Sequence, residues 1–388
     1  WIFMTSLFLV SLVLHAFVGW RVAPDLGAVS VSLGVAMWGL VLVSALALPM
    51  GFFAKRLVRP PLAQALTWLG LLCMGVFSSL LVLSLLRDLG LLTTAIIDWV
   101  WPESLSLASV RSNTALMLPP LALLMTALGY WSARRTAAVV RIDVPIANLP
   151  ATLQGFTVAQ ISDIHVGPTI KRQYVGRIVA RVNALGADMV AITGDLVDGK
   201  VDELKDHVAP LSGLNSTHGT FFVTGNHEYY SGAEGWVGTL RGLGMHVLMN
   251  EHVVIHHHID DQDPEQAMMV VAGVTDYGAH HFDKSHRSDP HLAMAGAPPH
   301  AVFKMLLAHQ PRSAVAAQQA GFDLQLSGHT HGGQFWPWNH FVRLQQPFTA
   351  GLHKLHSLWV YTSRGTGYWG PPKRFGAPSE ITLLRLVR

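Results

Sequence analysis

Four runs near the start of the chain, Trp1–Trp20, Gly27–Phe53, Ala65–Leu86 and Thr114–Trp131, contain no Asp, Glu, Lys or Arg. A bilayer core of ~30 Å needs about 20 apolar residues as a helix. In hydrocarbon, only a helix or a closed barrel satisfies every backbone N–H and C=O. The runs therefore predict a bundle of about four transmembrane helices over residues 1–135. Overall composition hides this division. Half of the 388 residues are hydrophobic and 13% are charged, but residues 150–388 have an ordinary globular composition.

The runs carry few oddities. His15 reads as a packed or interfacial histidine rather than a proton relay. Pro49 falls near the end of its run, and Pro119 and Pro120 predict a kink in the fourth helix. Leu89–Trp101 is apolar but short and contains Asp98. It reads as an interfacial or re-entrant piece with Trp99 and Trp101 at headgroup level, or as an extramembrane loop helix. Lys55, Arg56, Arg59, Arg134 and Arg135 fall on one side of a four-helix arrangement. Arg21, Arg87 and Arg111 fall on the other, with Asp25, Asp88 and Glu103 beside them. That bias predicts a multi-pass membrane protein whose folded half faces the cytoplasm. The chain begins at Trp1 rather than Met, so upstream residues or a further helix are expected. The opening run lacks the basic start and cleavage site of a signal peptide.

Several function classes drop out early. Net charge is only +3 and no Lys/Arg stripe is present, so no nucleic-acid partner is expected. The single cysteine, Cys73, excludes a disulfide framework and a cysteine metal site within the chain. The 21 histidines, most of them in the second half, point instead to metal chemistry.

After Arg141 the pattern changes to β-rich runs alternating with helical spacing, which predicts an α/β fold. The runs are Thr157–Ile161, Asp188–Thr193, Thr220–Thr224, Met268–Val274, Val302–Ala308 and Phe322–Leu326. Leu358–Thr362 and Ile381–Leu386 read as closing strands. Residues 136–147 read as a linker and 148–388 as the folded domain. The residues just past the strands are decisive. Asp163-Ile-His165 comes after the first, Gly194-Asp195 after the second and Gly225-Asn226-His227-Glu228 after the third. His309 comes after the Val302 run, and Gly328-His329-Thr330-His331 after the Phe322 run. Ligands in open α/β sheets bind outside the carboxyl ends of strands, so these side chains should converge. Asp163, His165, Asp195, Asn226, His309, His329 and His331 offer oxygen and nitrogen donors without a thiolate. That set suits Mn, Fe or Zn, and seven donors suffice for two ions sharing a carboxylate.

The motifs resemble those of the calcineurin-like metallophosphoesterase superfamily. Ser162–Thr169, Thr224–Tyr230 and Leu326–Gln334 are similar to its branch of transmembrane proteins with a metallophosphoesterase domain. The resemblance implies a four-layer α/β/β/α sandwich of two mixed sheets, preceded by the transmembrane bundle. It implies two divalent metal ions, the first held by Asp163, His165 and His331, the second by Asn226, His309 and His329, with Asp195 bridging. A metal-bridging hydroxide would be the nucleophile. His227 would stay off the metals and serve the substrate phosphate as the catalytic histidine. Asn226, His227 and Arg364 are the candidate substrate-binding residues.

Other residues have two readings each. Asp198 caps the following turn or binds a histidine or water. Glu228 orients a loop rather than touching substrate. Tyr229 and Tyr230 line a pocket or pack. Arg364 reaches a phosphate or forms a surface salt bridge. Phe335, Trp336 and Trp338 form an apolar wall for a lipid, or belong to the core or a membrane contact. His256–His258 and His280, His281, His286 and His291 form an accessory metal site or lid, or a solvated loop region. Asp260–Gln266 reads as a polar insert.

The expected activity is metal-dependent hydrolysis of a phosphodiester or pyrophosphate. The expected partners are the lipid bilayer and a phosphate ester, with a phospholipid or lipid-linked pyrophosphate as candidates. One rival is a nucleotide phosphodiesterase or phosphatase that uses its helices as tether or sensor. Another is a non-catalytic membrane receptor, which predicts polar residues within the helices.

Overall fold

Helices α1 (Ile2–Val29), α2 (Val31–Leu57), α3 (Leu62–Val100) and α4 (Leu107–Arg134) carry the four apolar runs and outrun them, except that Gly27–Val29 of the second run close α1 and α2 starts only at Val31. The computed structural model describes residues 2–59, 61–102, 104–257 and 268–388. All four helices are long and apolar enough to cross a membrane. They form one compact unit, Trp1–Trp131 together with Gly370–Phe375. Ser132–Trp369 and Gly376–Arg388 form the other.

The helices outrun the apolar segments because their charges find partners. Arg21 grips Asp88 with two nitrogens, at 2.8–3.1 Å. Arg87 pairs with Asp25 and donates to Thr114 Oγ1 at 3.0 Å. These residues, expected in loops, therefore lie on helices. Paired charges lower the cost of a charge in a low-dielectric setting. The expectation for Leu89–Trp101 is corrected in the same way. No proline interrupts Leu62–Val100, Arg87 and Asp88 are paired, and α3 runs through to Val100. At 1.5 Å per residue α3 measures about 58 Å, longer than a bilayer core. Pro49, Pro119 and Pro120 all lie inside their helices.

His15 is buried, as a packed histidine should be. Its ring stacks on Phe77, with 3.5 Å between centroids. Nε2 meets Ser44 Oγ at 2.9 Å and Nδ1 meets the Ser11 carbonyl at 2.8 Å. A buried cation comes from far along the chain. Lys373 donates from Nζ to the Gly75 carbonyl at 2.8 Å and also reaches Ser79 Oγ.

The second unit has two six-stranded mixed sheets. The first runs β1 (Ala138–Pro145), β12 (Glu380–Val387), β2 (Thr157–Ile161), β3 (Met189–Ile192), β4 (Thr220–Phe222), β5 (His246–Val247). The second runs β10 (Gly351–Leu355), β11 (Leu358–Thr362), β9 (Leu324–Ser327), β8 (Phe303–Leu307), β7 (Met268–Gly273), β6 (Glu251–His256). The strands β2 to β5 are mutually parallel, as are β7, β8, β9 and β11. The antiparallel pairs are β12 with β2, β10 with β11, and β6 with β7. Val158, Phe221, Met269, Val271, Leu307 and Leu326 fill the space between the sheets. Helix α5 (Arg172–Asn183) and its neighbours cover the outer face of one sheet through Val175, Ile178 and Trp236. Ala314, Ala317 and Phe322 cover the other. This is the expected α/β/β/α sandwich.

The stretch 136–147, read as a linker, contains β1, which pairs in parallel with β12 over its whole length. Its alternation was hidden because β1 lies at the edge and is largely exposed. The unread β10 is likewise half-exposed, and β5 has only two residues. The polar insert Asp260–Gln266 and His258 lie outside the described residues.

In the helical unit, α2 and α3 approach backbone to backbone. A Cβ on Gly70 would stand 2.5 Å from the Ala47 carbonyl oxygen and 2.7 Å from Gly51 Cα. Small residues permit such approaches between membrane helices. Gly70→Leu should therefore lower the thermal midpoint of the full chain in detergent by the equivalent of about 1–3 kcal/mol. Gly39, with nothing within 4 Å of a built Cβ, is the control. Equal midpoints for Gly70→Leu and Gly39→Leu would refute the close contact.

Candidate metal centre

Each expected ligand sits just past the carboxyl end of a strand. Asp163 and His165 follow β2 and Asp195 follows β3. Asn226 opens a short helix, Asn226–Ser231, after β4. His309 follows β8, and His329 and His331 follow β9. Five of them have a left-handed backbone: Asp163 (φ 54°), His165 (56°), Asp195 (51°), His329 (70°) and His331 (52°). A side chain there costs about 1–2 kcal/mol. Strain of this kind persists only where the surroundings over-determine it. Here the turns brace one another: Asp163 N–H donates to the Gly194 carbonyl at 3.0 Å and His165 N–H to the Asp195 carbonyl at 3.1 Å.

The side chains converge. His331 Nε2 stands 3.0 Å from His165 Nε2 and 3.5 Å from Asp163 Oδ1. His309 Nε2 lies 3.2 Å from Asp195 Oδ2 and 3.2 Å from His329 Nδ1. Two groups, Asp163–His165–His331 and Asp195–His309–His329, each have ligand atoms within 4.8 Å of one another. A third group of this kind is His165, Asp195 and His227. Asn226 Oδ1 is buried with no hydrogen-bond partner among the described residues. Such an orphan is costly unless a cation completes it. The donors are oxygen and nitrogen alone, so residues and geometry fit a divalent metal site.

Further hydrogen bonds aim these side chains. His309 Nδ1 donates to the Thr193 carbonyl at 2.7 Å, leaving Nε2 to face the centre. Of the two roles open to Asp198, the structure selects the histidine partner: its Oδ1 takes His165 Nδ1 at 3.0 Å and His227 Nδ1 at 2.6 Å. Glu228 accepts backbone N–H bonds from Gly225 (2.6 Å), Leu196 (2.7 Å) and Asp195 (3.0 Å), so it orients loops.

The pattern of calcineurin-like phosphoesterases matches residues 156–333. The Bos taurus "Transmembrane protein with metallophosphoesterase domain" is 36% identical over 366 residues, covering 90% of this chain and 80% of that protein. The chain belongs to the calcineurin-like phosphoesterase family. The Danio rerio protein of the same name is 35% identical, covering 82% of this chain and 74% of its own length. An uncharacterized metallophosphoesterase of Helicobacter pylori is 42% identical over 58% of each chain. Together with the four apolar helices, these likenesses support a membrane protein.

Charge in this family member's centre is tightly balanced. Burial raises the Asp163 carboxyl above its usual range. Burial also works against the Asp195 charge, but His309 and His227 outweigh it and hold that carboxyl well below the usual range. Burial and the charge of His309 depress His329 to about 3. For His227, burial is outweighed by Asp195 and Asp198, and the imidazole is pushed up to about 9.

Other expectations resolve variously. Tyr229 packs, with its hydroxyl 3.1 Å from His286 Nδ1. Tyr230 is exposed and its ring lies 5.2 Å from His227. Arg364 lies against Gly332, and its Nη1 meets Glu380 Oε2 at 3.2 Å. Phe335 is buried, Trp336 half-buried and Trp338 exposed. Among the described residues, the His256–His257 and His280–His291 histidines join no group able to hold an ion. Sequence reasoning missed Trp369, whose ring lies 5.8 Å from His227. It also missed Asp276, buried past β7 and held by Gln310 Nε2 at 2.8 Å. Asp276 obeys the same strand-end rule that found the ligands.

A Cβ on Gly328 would overlap Ser162 Oγ and Asp163 Oδ2. Gly328→Ala should therefore displace Asp163 and weaken metal retention about 10–100-fold. Metal analysis after reconstitution with manganese checks this. Wild-type retention in a folded variant would show that Asp163 is not a ligand.

Proposed function

We propose that this chain is a metal-dependent hydrolase of phosphodiesters or pyrophosphates carried on lipids. The carrying observation is the His227–Asp198 pair set against two adjoining groups of potential metal ligands. Asp163, His165 and His331 would hold one divalent ion and Asn226, His309 and His329 a second, with Asp195 shared. Manganese, iron or zinc suits these donors. When bound, such ions supply charge to neutralise the phosphate and acidify a water.

The chain's own residues do the rest. Asp198 fixes His227 through Nδ1, which leaves Nε2, 4.0 Å from Asp195 Oδ2, to face the reacting group. With its charge favoured by both carboxylates, His227 carries a proton on Nε2 and delivers it to the leaving oxygen. Asn226 and Arg364 complete the proposed contacts to the phosphate. Beside His227, the exposed rings of Tyr230 and Phe282 border a cleft of about 720 Å³. Charged residues, among them Lys200, Asp202, Glu234 and Asp283, also line that cleft, so it is the aromatic rings near His227 that support a bulky, lipid-like leaving group. The four membrane-crossing helices support a substrate drawn from the bilayer.

His227→Ala should lower turnover of a lipid-linked pyrophosphate about 10²–10⁴-fold while metal content is retained; loss of metal would make His227 a ligand. In the wild type, turnover should fall on an alkaline limb at or below about 9, as His227 loses its proton. Asp198→Asn removes a partner that raises this value, so the limb should move to lower pH. An unmoved limb refutes the pairing. Faster turnover of nucleotides than of lipids would favour the soluble-substrate reading.

The basic residues Lys55, Arg56, Arg59, Arg134 and Arg135 support a cytoplasmic hydrolase domain. Protease added to sealed right-side-out vesicles should spare it. Cleavage within residues 148–388 reverses the orientation.

A further inference from the structure

A cleft of about 660 Å³ opens where α4 ends, and it shares no residue with the metal centre. Ser132, in the last turn of α4, forms part of its wall, and Arg135 is the next residue beyond that helix. Across from them, α5 contributes Arg177 and Arg181, one turn apart, with Ala180 and Ala184 between and beyond them. The alanines leave a floor without bulk, and all three arginines are exposed at the rim. Among the described residues that line the cleft, none is acidic.

Arg134 is committed inward, donating from Nη1 to the Thr169 carbonyl at 2.8 Å and to Tyr368 Oη at 2.9 Å. Arg172 donates to the Asp206 carbonyl at 2.9 Å. Arg177 keeps its guanidinium over the Tyr174 ring, 5.3 Å from the centroid, which holds the group without neutralising it. The Arg177 and Arg181 guanidinium groups, one turn apart on one concave surface, repel one another. An anion entering between them relieves that repulsion, and their planar forks match phosphate oxygens.

Location selects the anion. Trp131 closes the apolar run of α4, and Arg135 is four residues on. At 1.5 Å per residue that places it ~6 Å further along the helix direction, within one Debye length of a headgroup layer. Basic residues this close to an anionic leaflet are drawn to its phosphates.

We propose that the Arg135–Arg177–Arg181 cleft binds the phosphate of an anionic phospholipid headgroup. The site is independent of the hydrolytic reading above.

The test uses the full chain in nanodiscs of phosphatidylcholine with or without phosphatidylglycerol. Its readouts are the thermal midpoint and phosphatidylglycerol retained in native mass spectrometry. Wild type should melt higher with phosphatidylglycerol and retain it. R177Q/R181Q should melt as wild type in phosphatidylcholine alone, lose the gain, and bind roughly fivefold more weakly per arginine removed. K55Q/R56Q removes the same charge elsewhere and should keep the gain. Should R177Q/R181Q fail to fold, R135Q is read in its place. Inorganic phosphate added to phosphatidylcholine discs distinguishes the source. Protection by it alone, abolished in R177Q/R181Q, retains the phosphate site but overturns the lipid as its source. An equal gain in wild type and R177Q/R181Q, or an equal loss in K55Q/R56Q, overturns the proposal.

Discussion

Two buried carboxylates, Asp163 and Asp195, share a crevice with four buried or nearly buried histidine rings. Like charges in such a place cannot both persist without compensation. The environment answers unevenly: burial raises Asp163, while the charges of His309 and His227 hold Asp195 down. Everything around the crevice serves to keep these groups together against their mutual cost. The strand ends deliver them, and the left-handed turns point them inward. Glu228, deep beneath, ties the Gly225 turn to the backbone of Asp195 and Leu196.

The same carboxylate-and-imidazole chemistry divides labour among near-identical side chains. His165 and His227 both donate to Asp198, yet their other nitrogens meet different neighbours. His165 Nε2 faces His331, within a group of potential ligands, while the His227 ring meets Tyr230 and Trp369 edge to face. A histidine's role here follows from where its second nitrogen points, which depends on tertiary placement.

That dependence explains what could be read from residue order. The candidate ligands were legible because their types are chemically specific and each comes after a β-rich run, as with Asp163 after Thr157–Ile161. The α/β alternation was legible because the central strands are wholly buried and thus uniformly apolar, as in Met189–Ile192, whereas the four-layer sandwich was implied only by the resemblance of the motifs. Edge strands such as Ala138–Pro145 carry no such signature, being half in water. Asp198 read equally well as a turn cap because nothing local shows the directions of His165 and His227. The length of α3 was hidden for a similar reason. Arg87 and Asp88 look like a helix boundary until Asp25 and Arg21, far earlier in the chain, neutralise them.

Lys373 carries a consequence for how the molecule can be divided. Six residues from near the C-terminus, Gly370–Phe375, belong to the same compact body as the helices. Within it the lysine's ammonium is satisfied by the Gly75 carbonyl and Ser79 hydroxyl. The N-terminal third is therefore discontinuous in sequence, completed by a hook from the other end of the chain. A fragment cut after α4 would inherit that hook without its socket, leaving a cation and two prolines, Pro371 and Pro372, facing solvent. The helical body therefore cannot be excised as one continuous stretch of sequence.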